Sequence, residues 1–273
     1  MTFLEGEYQM ANNFFENAGN PRARKLRSFN QPVDINYAAT YKGVAMKTVY
    51  FVLVMCAGIA AFFYMDAFYT SRNGAEAALE MEAVVFYVLL IVTLIASLIA
   101  AFAPKTVPVT GSIYAGGMGF CLSLVSMLYA QEFKGIIVEA LVLTILTVGC
   151  LTLLYSKGVR VGGRLKTACI TALFVSIIGG GIYGLVAIIA PNSPIISSIN
   201  AINNGPIGIV FAAIGVFIAA ILLMCDFDTV TETVENGLPE EYEWYASYAL
   251  IVGVIYLYLK ILRLLAKIQG NRR

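Results

Sequence analysis

The sequence contains no histidine. That removes the usual general base, the commonest metal ligand and the side chain that titrates nearest neutrality, so any pH sensing rests on carboxylates or lysines. Charge is scarce as well. Only 13% of the 273 residues are charged, against about a quarter in a soluble domain. The five cysteines, Cys56, Cys121, Cys150, Cys169 and Cys225, lie in or beside apolar segments and none forms a C-x-x-C. An odd, scattered set argues against a disulfide framework or a zinc site, and these residues read as small apolar packing groups. The net charge of +1 supplies no global field for nucleic acid. The opening residues lack the compact basic, apolar and small pattern of a cleavable signal peptide.

What is abundant is apolar surface. The chain is 59% hydrophobic with a mean hydropathy of +0.79. The excess comes in blocks of about 20 residues, long enough to span a bilayer. Only helices and closed barrels satisfy the backbone in lipid, and barrel strands would be about 10 residues long and alternating. The expected fold is therefore an all-α integral membrane protein with seven transmembrane helices, at 45–65, 82–103, 111–130, 136–155, 168–190, 206–228 and 245–268. Residues 167–225 hold no charge and are too long for one span; "APNSPIISSINAINNGP", with its prolines and polar residues, divides them.

Residues 1–40 read as a polar cytoplasmic arm, partly disordered, followed by a transmembrane domain over 41–270. Arg22, Arg24, Lys25 and Arg27 are either an ordinary topology signal or a contact to anionic lipid heads. With seven crossings, eleven Lys and Arg fall on the N-terminal side and seven on the other, which predicts a cytoplasmic N-terminus. Glycine clusters at "YAGGMG" (114–119) and "IGGGIYG" (178–184) permit close helix approach, within one bundle, at a dimer seam or in a flexing helix.

Ionisable residues inside spans are costly and become functional candidates by default. Lys47 can snorkel, Glu82 opens the second span, and Glu139 lies three residues into the fourth. The segment "CDFDTVTETVENGLPEEYEW" gathers seven of the seventeen acids and no base. Asp226 and Asp228 close the sixth span about 200° apart on a helix, so they cannot pair with each other. Asp228, Glu232 and Glu235 share a face if the helix continues, ending at Asn236-Gly237. With Glu240, Glu241 and Glu243, these acids are either a low-affinity cation attractor at a pore mouth or a solvated acidic loop; calcium-hand spacing is lacking. In the seventh span Lys260, Arg263 and Lys267 share a face. A lysine at a helix centre costs roughly 3 kcal/mol to insert, and pairing with Asp228 could offset that. The span edges, however, put Lys260 about 22 Å into its helix, so the two meet only if those edges shift.

"GPIGIVFAAIGVFIAAILLMCDFDTV", "EWYASYALIVGVIYLYLKILRLLAKIQG" and "FKGIIVEALVLTILTVGCLTLLYSKG" resemble the Bax inhibitor-1 family, the transmembrane Bax inhibitor motif proteins, in a bacterial branch with a long polar N-terminal arm. The resemblance spans roughly residues 42–270. It implies six helices around a central seventh and a pH-gated calcium leak in a bacterial inner or plasma membrane. It also implies a pair of acids, one in each of the last two helices, sharing a proton as the latch. Asp228 in "FDTV" matches the first; at the position assigned to the second stands Lys260. A Lys–Asp pair needs no shared proton. Either a permanent ion pair locks the leak, or another acid such as Asp226 or Glu243 takes the role. Tyr114 stands where relatives often carry an acid.

Two functions follow as expectations. One is a cation leak or regulator of ion homeostasis, with Asp228, Lys260 and Asp226 as gate and sensor, Glu232, Glu235 and Glu243 as attractor, and Glu139 and Arg263 as intramembrane charges. The other is a non-conducting protein that modulates membrane-protein partners or stress survival. An intramembrane aspartyl protease needs two aspartates on different helices sharing a site, and only Asp66 lies near a span besides 226 and 228, so the chain reads as a non-enzyme. No cofactor is expected; calcium enters as a permeant ion and the bilayer as the constant partner.

Overall fold

The computed structural model describes residues 38–190 and 193–271. Nearly all of the expected N-terminal arm lies outside these residues. Among them the chain is helical: α1 (Tyr41–Asn73), α2 (Ala75–Phe102), a 3-10 turn (Pro104–Thr106), α3 (Val107–Glu132), α4 (Ile136–Ser156), α5 (Gly163–Ile189), α6 (Pro194–Asn204), α7 (Pro206–Glu235) and α8 (Glu241–Gly270). All but the short α6 are long and apolar enough to cross a membrane, giving seven spans. The protein is a multi-pass, all-α membrane protein.

The helices outrun the spans read from hydropathy. α1 has 33 residues and is about 50 Å long, against a hydrocarbon core of about 30 Å. Hydropathy marks where lipid ends, whereas a helix ends at a breaker. α1 is capped at its start by the Thr40 hydroxyl, which accepts from the Gly43 amide at 3.0 Å, and it stops at Gly74. α7 continues past the apolar run to Glu235 and ends where Gly237 adopts φ +60°, a left-handed conformation that side chains resist. The polar stretch between α5 and α7 carries α6, started by Ser193 and Pro194.

α8 is the hub. It packs on α1, α3, α4 and α7, while α2 rests mainly on α1 and α3, and α5 mainly on α7. The largest core cluster is richest in α8 residues, among them Ile251, Ile255, Leu257, Ile261 and Leu262. Polar ties cross the interior. Ser126 and Tyr258 share a hydrogen bond of 2.8 Å, and the Ser247 hydroxyl donates to the Val44 carbonyl at 2.8 Å. Outward faces are apolar; Phe174, Ile178 and Leu185 of α5 are each about 60% exposed, as lipid contact requires.

The two glycine clusters do different things. In α3, a side chain on Gly119 would collide with the Met55 carbonyl, and one on Gly58 of α1 would collide with the Gly116 carbonyl. The α1–α3 crossing therefore needs these glycines. In α5, a Cβ on Gly179, Gly180, Gly181 or Gly184 meets nothing within 4 Å. The close packing of that cluster inside the bundle does not occur: no neighbouring helix comes within contact of these glycines, and Gly179 and Gly180 border a gap beside α6 and α7.

Candidate functional site at the carboxylate end of helix 7

Asp228 sits two turns before the end of α7, with its side chain 18% exposed. The Tyr155 hydroxyl at the end of α4 donates to Asp228 Oδ1 at 3.0 Å and lies 2.8 Å from Thr231 Oγ1. A phenol has one proton, so the chain runs Thr231 to Tyr155 to Asp228. Arg160 Nε and Lys166 Nζ each stand 4.0 Å from an Asp228 oxygen. The Arg160 guanidinium lies 3.5 Å from the Tyr155 ring centre and donates to the Tyr155 carbonyl at 2.7 Å. One carboxylate thus ties α4, the α4–α5 connector and α5 to α7. Both cations are partly solvated and at the outer limit of direct pairing, so these contacts are weak individually and releasable.

Asp226 faces the other way, as the helical spacing predicts. Its carboxyl packs directly over Gly253 of α8, where any Cβ would collide with Oδ2. No described residue hydrogen-bonds or ion-pairs with it, although the charge of Lys166 reaches it.

Lys260 is elsewhere. Its Cδ lies 3.5 Å from where a Cβ of Gly215 would stand, and its ammonium is 4.9 Å from the Tyr256 ring centre. Gly215 and Asp228 are 13 residues apart on α7, about 20 Å along the axis. The expected Asp228–Lys260 gate is not formed. α7 and α8 are antiparallel, so residues deep in one face residues far from the end of the other.

Glu243, expected among the cation attractors, is 2% exposed and spoken for. It accepts from the Thr40 amide at 2.6 Å, the Thr40 hydroxyl at 3.2 Å and Lys47 Nζ at 2.7 Å. Lys47 also meets Glu240 at 3.2 Å and lies over the Trp244 ring. Together with an antiparallel bridge between Ala38 and Pro239, this clamps the start of α1 to the α7–α8 connector. Glu232 and Glu235 do lie exposed on the last turns of α7. Glu139 in the first turn of α4 accepts from the Gln269 amide of α8 at 3.0 Å. Arg263 is exposed toward the opposite end of α8. Tyr114 packs edge-on against Tyr248 with ring centres 5.3 Å apart. Among the described residues, no group of three or more metal-ligating side chains could hold a metal ion.

Sequence reasoning missed Tyr155, Arg160, Lys166 and Gly253. The two cations were visible as charges flanking a span, but counting them toward topology hid their role as Asp228 partners. Tyr155 read as one more apolar-span residue. Nothing in the sequence marked Gly253 as the neighbour of Asp226.

The profile of the family described as Bax inhibitor 1 like matches residues 8–270. The chain belongs to the Bax inhibitor 1-like family. No curated protein and no solved structure matches it significantly. The two α7 aspartates of this Bax inhibitor 1-like protein face different partners. Asp228 meets two cations and a phenol, and Asp226 meets a glycine, not a second acid. A carboxyl pair shared between the last two helices is thus not assembled at this end of the bundle among the described residues.

Proposed function

We propose that this Bax inhibitor 1-like protein is a proton-sensitive cation leak that contributes to ion homeostasis, with Asp228 as the releasable tie. The observation that carries the reading is the convergence of Tyr155, Arg160 and Lys166 on one carboxylate at a helix junction. Removing the Asp228 charge abolishes its attraction to both cations and frees the α4–α5 connector from α7. Release of that tie opens the bundle, and calcium is the ion to test. Glu232 and Glu235, exposed on the same end, raise the local concentration of cations. The proposal places that end and the N-terminus in the cytoplasm of a bacterial cell, from the Lys and Arg asymmetry.

The test is calcium flux into dye-loaded liposomes between about pH 5 and pH 8. Wild type should leak more in acid, Asp228→Asn should leak at every pH, and Lys166→Gln should shift the profile. A wild-type protein silent throughout, with Asp228→Asn equally silent, overturns the leak. The reading then favoured is a non-conducting protein that acts on membrane-protein partners or in stress survival. One observation supports that second reading: Asp228 already has cationic partners, and among the described residues no acid faces Asp226 to form an acid-pair latch.

A further inference from the structure

α8 carries three cations on one stretch, and among the described residues none of the three is paired with an acid. Lys267 is nevertheless saturated. Its ammonium has three protons and donates to the Asn203 carbonyl at 2.8 Å, the Asn203 side chain at 2.5 Å and the Gly208 carbonyl at 3.2 Å. That pins α6 and the start of α7 to the end of α8. Lys260 is stretched along Gly215 and Tyr256. Arg263 alone is exposed, with no hydrogen bond or ion pair to a described residue and with Lys260 and Lys267 adding like charge on either side. It lies seven residues before Gly270, about 10 Å from the helix end, which is a depth at which a guanidinium reaches lipid headgroups.

Two cavities meet at Arg263 and Asn203. One, of about 420 Å³, is mainly apolar and is walled by Gly179, Gly180, Tyr183, Ile199, Ile202 and Phe211. Phe211 and Ile202 are themselves exposed, so this cavity opens at the outer surface of the bundle. The other, of about 370 Å³, is more polar and includes Tyr129, Lys267 and Asn271. A soluble anion would satisfy Arg263 and leave the apolar cavity unused. A zwitterionic lipid would fill the cavity but bring a cation of its own to a site that already holds two, Arg263 and Lys267. An amphiphile with a net negative phosphodiester matches both halves, because a guanidinium takes phosphate through paired, charge-assisted hydrogen bonds.

We infer that Arg263 marks a binding site for one anionic phospholipid, its phosphate on the guanidinium and an acyl chain lying along the cavity between α5, α6 and α7. This site is at the opposite end of the bundle from Asp228 and does not depend on conduction.

Gly180 supplies an independent test. A Cβ there meets no protein atom within 4 Å and Gly180 lines the cavity, so Gly180→Leu places its side chain in the space the acyl chain would take. The purified protein in mild detergent would be titrated with phosphatidylglycerol, phosphatidylcholine or inorganic phosphate, with binding read by native mass spectrometry and by thermal unfolding. Phosphatidylglycerol should bind wild type at least tenfold more tightly than phosphatidylcholine. Arg263→Gln should remove that preference, and Gly180→Leu should weaken phosphatidylglycerol about tenfold. Equal binding of the two lipids by wild type overturns the proposal. So does protection by inorganic phosphate equal to that by phosphatidylglycerol, which would assign a soluble-anion site. If Arg263→Gln does not fold, Gly180→Leu decides alone, and unchanged phosphatidylglycerol binding in that variant overturns the lipid site.

Discussion

Replacing Glu243 with alanine separates two roles for this carboxylate. As a cation attractor its loss would alter ion flux and leave stability alone. As a clamp its loss would loosen the start of α1. The structure favours the clamp: a side chain 2% exposed accepts from one amide, one hydroxyl and one ammonium. Removing one partner of a buried ion pair costs roughly 3–5 kcal/mol. Lys47 keeps Glu240 at 3.2 Å, so its charge is not orphaned, and the loss falls to roughly 2–3 kcal/mol, the worth of the charged hydrogen bonds removed. For a chain of this size that lowers the melting temperature by roughly 5–10 °C. Glu243→Gln keeps an acceptor for the Thr40 amide and should lose about half as much. The buried thiols of Cys121, Cys169 and Cys225 report unfolding to a thiol-reactive dye, in a background where the exposed Cys56 and Cys150 are alanine. A Lys47→Met, Glu243→Gln double variant no worse than Glu243→Gln alone would show the coupling directly. A Glu243→Ala protein that melts with wild type, while its flux changes, refutes the clamp.

Other substitutions test other parts of the bundle. Gly253→Ala drives a methyl into Asp226 and to 3.0 Å from Leu223, so it should destabilise by about 1–3 kcal/mol, and adding Asp226→Ala should recover part of the loss in the same thermal assay. Glu82 is 1% exposed, its Oε1 has no partner, and Asp66 adds like charge; Glu82→Leu should raise stability by about 1–3 kcal/mol, and a fall would show that the carboxyl holds the fold together. Gly58→Ala should separate α1 from α3 and lower the melting temperature, whereas Gly180→Ala should be neutral or gain up to about 1 kcal/mol in helix propensity; equal effects would refute the stated α1–α3 contact.

Hydropathy runs and glycine breakers were enough to read seven crossing helices, the division of the long uncharged stretch and the stop at Asn236-Gly237. Each is a local property: burial in lipid depends on about 20 consecutive residues, and a helix end on one or two. Asp226 and Asp228 were legible as candidates on opposite faces for the same reason, since 3.6 residues per turn settles direction from spacing alone. The partners of those residues were not legible. Asp228 meets Arg160 and Lys166, more than sixty residues earlier, and Glu243 meets Thr40 and Lys47, about two hundred residues earlier. Equal charge and equal spacing would have suited other pairings, and Lys260 was the plausible wrong one.

Legible along the chain, then, was one-dimensional information: which segments enter lipid, which way each side chain points around its own helix, and where α7 stops. The tertiary structure decided depth and company. The antiparallel offset of α7 and α8 sets Gly253 against Asp226 and Lys260 against Gly215, turns Glu243 inward onto α1, and leaves Arg263 open to the bilayer edge. Helix offset and rotation arise from side chains interlocking across the whole bundle. No single segment carries that information, because in lipid every apolar face is equally comfortable until a neighbour fits it.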